Sequence, residues 1–255
     1  MIRLERVTFG YGAEPVLQEV SFRIAPGESR VIMGPSGSGK STILRLILGL
    51  DYPWSGHVYV DGRDISSMKF KELQQIRKRI GMVFQDGALF DSMTIGENVG
   101  YYLFEHSRLR ENEIEQEARQ MLQFVDLDQD ILDRLPEELS GGMRRRVAIA
   151  RALLSTRPKL MLFDEPTTGL DPQATQNVLA LINKLKEVEQ ISVIIVTHQI
   201  ADAFKLADKF VVINQGRVVF DGDFEQLRTC ETPEVVEFLT PFRNSIGEVV
   251  KRHFI

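Results

Sequence analysis

The segment Gly34-Pro-Ser-Gly-Ser-Gly-Lys40-Ser41-Thr42 does most to limit the folds open to this chain. It follows a short apolar run, Arg30 to Met33, and precedes Lys40 to Gly49, which carries Ile43, Leu44, Leu46, Ile47 and Leu48. The first run reads as a strand and the second as a buried helix. Glycines between the two let backbone N–H groups turn inward around an anion, where side chains would block them. The helix start adds the positive end of its dipole. A strand, an anion-cradling loop and a buried helix in that order predict an α/β fold around a parallel sheet.

The spacing Gly34-x-x-x-x-Gly39-Lys40-Ser41 is a full Walker A pattern. Gly34, Pro35, Ser36, Gly37, Ser38, Gly39, Lys40, Ser41 and Thr42 form the expected phosphate cradle. Lys40 is expected to reach the β and γ phosphates of a nucleotide, and Ser41 to ligate Mg²⁺. Farther on, Leu160 to Phe163 followed by Asp164-Glu165 is a Walker B pattern. Such a run suits a strand buried on both faces, and ligands bind at the carboxyl ends of such strands. Asp164 is expected to hold the Mg²⁺ shell. Glu165 can polarise an attacking water as general base. His198 ends the run Ile191 to Val196, and the same strand-end rule turns it toward the γ phosphate.

A second anion site lies in Leu139-Ser140-Gly141-Gly142-Met143. Ser140 can cap the following amphipathic helix and offer a hydroxyl, and the N–H groups of Gly141 and Gly142 are unobstructed. One nucleotide needs only one cradle. A second one predicts a nucleotide gripped from two sides by two copies of the chain, an ATP-driven switch.

At 255 residues the chain can bury a large α/β core. Its net charge of −5 argues against a general nucleic-acid binder. The single cysteine, Cys230, excludes an internal disulfide and fits a reducing compartment. Apolar runs are strand-length, far below the roughly 18 residues of a membrane span, and Met1-Ile-Arg-Leu-Glu-Arg reads as a strand rather than a signal peptide. A membrane role would then mean docking onto membrane proteins. His57, His106 and His253 lack metal-ligand spacing and read as structural or surface. The basic stretch Lys69 to Arg79 reads as a solvated helix face, and Trp54 as turn packing.

The N-terminal segment alternates apolar and polar residues (Val16, Val20, Phe22, Ile24), which predicts a β-rich subdomain. From about Thr94 to Ser155 the pattern turns helical, with Ile114, Ala118, Met121, Leu122 and Val125 at helical spacing. This stretch reads as a helical subdomain inserted into the α/β core. Alternating helix and strand then run from 173 to about 220. Residues 223–255 read as a short helical tail ending in Lys251-Arg252-His253.

Taken with LSGGM-RRRVAIARAL, the motifs resemble those of the ABC ATPases in kind and order, over essentially the whole chain to about residue 228. The resemblance implies a P-loop NTPase core with a β-rich N-terminal subdomain and an inserted helical signature subdomain at about 94–155. The tail, 229–255, is set apart as a partner or dimer contact or, alternatively, as a segment packed on its own domain. Tyr11 is similar to the aromatic that stacks on adenine. Gln85 resembles the glutamine that senses Mg²⁺ and contacts the membrane partner. Asp171, in Gly169-Leu170-Asp171-Pro172, resembles the loop that lies across the dimer interface. The resemblance implies a head-to-tail homodimer that sandwiches two ATP, with a transmembrane permease as partner. Met143 departs from the commonest residue, glutamine.

Within the family, LSGGM-RRR, the phrase FQDGALFDSMTIGENV (Phe84 to Val99) and PEVVEFL-x-PF (Pro233 to Phe242) resemble the ATPase subunit of bacterial MCE/Mla-type lipid transporters. That likeness implies phospholipid movement between the two membranes of a bacterium, from the cytoplasmic face of the inner membrane. It also implies a periplasmic MCE lipid-binding protein and a STAS-domain regulator. The alternative is the ATPase of a polar-solute importer, such as one for amino acids. A further alternative is an ABC ATPase of DNA repair or translation. Those relatives usually add coiled coils, zinc modules, iron–sulfur cysteines or a second ATPase domain. The length, the single cysteine and the net charge of −5 speak against it.

Overall fold

The computed structural model describes residues 1–156, 158–207 and 209–242. The tail beyond Phe242, with His253, lies outside the described residues. The chain forms two compact units, Met1–Arg77 with Ser192–Ile255, and Lys78–Ile191.

The first unit opens with β1 (Ile2–Phe9), β2 (Leu17–Ile24), β3 (Ser29–Met33), α1 (Lys40–Ile47), β4 (Ser55–Val60), β5 (Arg63–Asp64) and α2 (Phe70–Arg77). The second unit holds β6 (Ile80–Val83), α3 (Ile95–His106), α4 (Glu111–Phe124), α5 (Gly141–Thr156), β7 (Leu160–Asp164) and α6 (Pro172–Glu187). The chain then returns to the first unit with β8 (Ser192–Thr197), α7 (Ile200–Leu206), β9 (Lys209–Asn214), β10 (Arg217–Asp223), α8 (Phe224–Arg228) and α9 (Pro233–Leu239).

In the first unit, an antiparallel sheet runs in the order β2-β1-β4-β5. Its alternation is that of a sheet with one buried face: Leu17, Val20, Phe22 and Ile24 are buried while Glu19, Ser21 and Arg23 face water. A second sheet places β3 between β8 and β9, all parallel, with β10 antiparallel on β9. All six residues of β8 are buried, as a strand covered on both faces requires. Each of its four aliphatic side chains, Val193 to Val196, contributes roughly 1.5–3 kcal/mol of burial. Register aligns Met33 with Thr197, so the residues after β3 and those after β8 start at one level.

In the second unit β6 and β7 are parallel, with Val83 opposite Phe163. Gln85 and Glu165 therefore follow adjacent strand ends. Thr94 opens α3 with a capping box, its hydroxyl accepting from the Glu97 N–H while Glu97 accepts from the Thr94 N–H. The Ile114, Ala118 and Leu122 stripe of α4 is buried as its spacing predicts. α2 departs from a purely solvated basic face. Leu73 and Ile76 are buried, and the Arg77 guanidinium donates to the carbonyls of Leu48 and Gly49, both at 2.8 Å. Arg77 thus closes the C-terminus of α1.

Candidate nucleotide site

In the first unit the loop 34–39 joins β3 to α1 as expected. Gly34 has φ +154, and a Cβ there would lie 2.0 Å from the Ile213 carbonyl oxygen and 2.9 Å from Ser38 Oγ. Only glycine fits that approach. Lys40 is buried, and its ammonium donates to the carbonyls of Gly34 and Pro35, both at 2.9 Å. No side chain caps α1 at Gly39. Its first N–H groups are therefore of the kind that bind an anion. Ser38 Oγ is buried without a hydrogen-bond partner. A buried cation, an uncapped helix start and a loop with glycine at 34, 37 and 39 fit a nucleotide polyphosphate.

Tyr11 is exposed, with its ring edge-on to Phe9 at 5.0 Å and its hydroxyl 3.4 Å from Thr42 Oγ1. An exposed aromatic face over the start of α1 suits stacking on a base. Trp54 packs on Phe9 at 6.3 Å. His198 is half-buried just past β8, level with Gly34 past β3. His57 is exposed and pairs with Asp64 at 2.7 Å, and His106 stacks edge-on against Tyr102.

In the second unit Gln85 is exposed past β6, Asp164 is half-buried at the end of β7, and Glu165 is buried. Glu165 has φ +49, a left-handed backbone that costs a non-glycine residue energy and is held at functional turns. The Thr168 hydroxyl donates to Glu165 Oε2 at 3.0 Å and orients the carboxylate. Ser140 caps α5, accepting from the Met143 N–H at 3.3 Å. Asp171 caps α6, accepting from the Ala174 N–H at 2.9 Å. The two helix starts are close. A Cβ on Gly142 would lie 2.6 Å from that of Ala174, and one on Gly141 would lie 3.3 Å from Leu170 Cδ2.

The sequence reading missed the roles of the arginines that follow the second cradle. Arg145 is buried and donates to the Phe84 carbonyl at 2.7 Å. Burial pushes its guanidinium below the ordinary arginine value, while Asp86, Asp164 and Glu165 pull it back up. One buried cation therefore faces the residues beside Gln85 and both Walker B carboxylates. Arg151, also pushed down by burial, donates to the carbonyls of Gly87 and Ala88. The available signal was Arg151, six residues after Arg145 and the one charged residue in the apolar stretch 147–154.

Among the described residues, no group of three or more His, Cys, Asp or Glu forms a metal cage. Nor is any described helix long and apolar enough to cross a membrane. A P-loop with a buried lysine, a strand-end carboxylate pair and a second glycine cradle at a helix start define an ATP-binding cassette. The chain belongs to the ABC transporter family, whose profile matches residues 17–168. It is an ATP-hydrolysing subunit of that family. It is 38% identical over 239 residues to the intermembrane phospholipid transport system ATP-binding protein MlaF of Haemophilus influenzae, covering 94% of this chain and 90% of that protein. It is also 42% identical over 231 residues to the methionine import ATP-binding protein MetN of Corynebacterium efficiens, covering 90% and 64%. Its fold is similar to a dimeric ATP-binding cassette in a post-hydrolysis state bound to ADP and Pi. There the TM-score is 0.79 and the identity 36%, covering 88% of this chain and 98% of that one.

Proposed function

We propose that this chain is the ATPase of a phospholipid transporter, working as a homodimer on the cytoplasmic face of the inner membrane beneath a transmembrane permease. In this reading Lys40 neutralises charge on the β and γ phosphates, and the loop N–H groups orient them. Glu165, oriented by Thr168, takes the proton of the attacking water. His198 and Gln85 contact the γ-phosphate end, and Tyr11 stacks on adenine. Mg²⁺, held by Ser41, Gln85 and Asp164, would offset the charge that develops on the phosphates. Ser140, Gly141 and Gly142 offer their donors to the nucleotide of the second copy, with Asp171 at the dimer interface. Closure on ATP and reopening after hydrolysis drive the permease. A periplasmic MCE protein and a STAS-domain regulator complete the assembly.

The observation that carries the lipid reading is the likeness to MlaF over 94% of the chain. It agrees with the resemblance of the Phe84–Val99 and Pro233–Phe242 segments to lipid-transport ATPases. The likeness to MetN favours a second reading, a polar-solute importer with the same ATPase chemistry. A pull-down of the tagged protein from its own membranes, with mass spectrometry of proteins and lipids, separates them. Recovery of a permease, an MCE protein and phospholipid supports the first. A polar-solute permease with its soluble receptor overturns it in favour of the second.

A further inference from the structure

The segment that follows β6 is held by side chains from two helices of its own unit. At its start Arg145 Nη1 donates to the Phe84 carbonyl, one residue before Gln85. In its middle Arg151 forks onto two successive carbonyls, Ala88 at 2.8 Å and Gly87 at 2.9 Å. At its far end buried Asn98 accepts from the Phe90 N–H at 2.8 Å and donates to the carbonyls of Phe90, Met93 and Thr94. Gly87 itself is buried, and a Cβ there would lie 3.4 Å from that of Ala148 on α5. Gly87 and Ala88 both have positive φ, +77 and +49. For Ala88 this conformation is costly and persists only where surroundings impose it. The carbonyls of these two residues are the ones that accept from the Arg151 fork. Hydrogen bonds from a guanidinium are of the strong, charge-assisted kind, and a fork fixes orientation as well as distance.

We propose that Arg151, together with Arg145, is a positioning residue that fastens the Gln85 loop to α5, so that Gln85 is placed by the helix that begins with Ser140, Gly141 and Gly142. The inference deepens the ATPase reading and rests on it for the consequence in turnover. Its geometric core, a clamped loop, does not. A nucleotide event at the start of α5 then reaches Gln85 through one rigid helix and three hydrogen bonds. Asn98 keeps the distal half of the loop fixed independently.

The test uses the full chain with Arg151→Met and Arg151→Lys. Two loop amides report separately, Gly87, bonded to the Phe84 carbonyl at 2.9 Å, and Phe90, bonded to Asn98. Residue-resolved amide exchange without nucleotide is expected to show protection lost at Gly87 and kept at Phe90 in Arg151→Met. Arg151→Lys, which keeps the charge and loses the fork, should lie between Arg151→Met and the wild type. ATP turnover in Arg151→Met is expected to fall roughly tenfold or more with KM unchanged, the cost of a misplaced group. Unchanged protection at Gly87, or equal loss at Gly87, Phe90 and along α5, overturns the clamp. Should Arg151→Met not fold, the Gly87 exchange of Arg151→Lys decides by the same criteria. A wild type that binds but does not hydrolyse ATP would overturn the ATPase reading, while the exchange result would still decide the clamp.

Discussion

The Lys40 ammonium donates to the carbonyl oxygen of Gly34 at 2.9 Å, six residues back in the loop that it closes. The Pro35 carbonyl is a second acceptor at 2.9 Å, so two backbone oxygens of the loop hold the cation inside the cradle. Phosphate oxygens carrying full negative charge are stronger acceptors than either carbonyl.

Lys40→Met should therefore lose the function and keep the fold. Removing one donor aimed at developing charge lowers turnover by about 10²–10³. The wild type should gain about 2.7 kcal/mol of stability at an ATP concentration 100 times its Kd. The variant should show little of that gain. Thermal unfolding with and without ATP, beside a phosphate-release assay, checks both. A variant with wild-type turnover would remove Lys40 from the site.

Glu165→Gln is isosteric and leaves an amide oxygen to accept from Thr168. The left-handed backbone at 165 is equally available to both residues, so the thermal midpoint should hardly move. Hydrolysis should fall by about 10²–10⁴, the usual worth of a positioned base. ATP should then accumulate unhydrolysed on a dimer visible by size-exclusion chromatography with light scattering. Normal turnover would show that another group takes the proton.

What the sequence made legible was the placement in the fold of motifs written in contiguous residues. The loop 34–42 and the strand-end pairs at 164–165 and 197–198 each carry their context beside them. The three arginines after Met143 show where that stops. They are consecutive and chemically identical, yet Arg144 donates to the Leu139 carbonyl, Arg145 to Phe84 and Arg146 to Val125 and Asp126. Successive residues on a helix point about 100° apart, and only packing decides which elements lie in those directions. Asp171 shows a second limit. Resemblance assigns it to an interface, while the structure shows a helix cap for α6. The two uses are compatible, because an N-cap carboxylate retains an oxygen for another donor.

Gly142→Ala should be destabilising where Gly141→Ala is not. The new methyl at 142 meets the Ala174 Cβ at 2.6 Å. Overpacking costs about 1–3 kcal/mol, against a helix-propensity gain of at most about 1 kcal/mol. The clash wins, and each net kcal/mol lowers Tm by about 2–4 °C in a chain of this size. At 141 the nearest atom is a mobile leucine methyl at 3.3 Å, which can give way. Scanning calorimetry of the two variants checks the ordering, and equal midpoints would mean that α5 and α6 separate freely at their starts.

Asp64→Asn should matter at neutral pH and cease to matter in acid. Partial burial of Asp64 works against its charge, but hydrogen bonds from Ser66 and His57 outweigh it and hold the carboxyl below the ordinary aspartate range. A carboxylate depressed in the folded state stabilises the fold above its unfolded value, about 4. That contribution fades as pH falls through the folded value. Asparagine can still accept from the Ser66 N–H, but it offers His57 no charge. The pair is substantially exposed, so the loss at neutral pH should be small and weaker in high salt. Denaturant midpoints of variant and wild type should differ at neutral pH, and the difference should shrink as the pH is lowered through the depressed folded value of the carboxyl. A difference that persists in acid would place the effect in packing rather than charge.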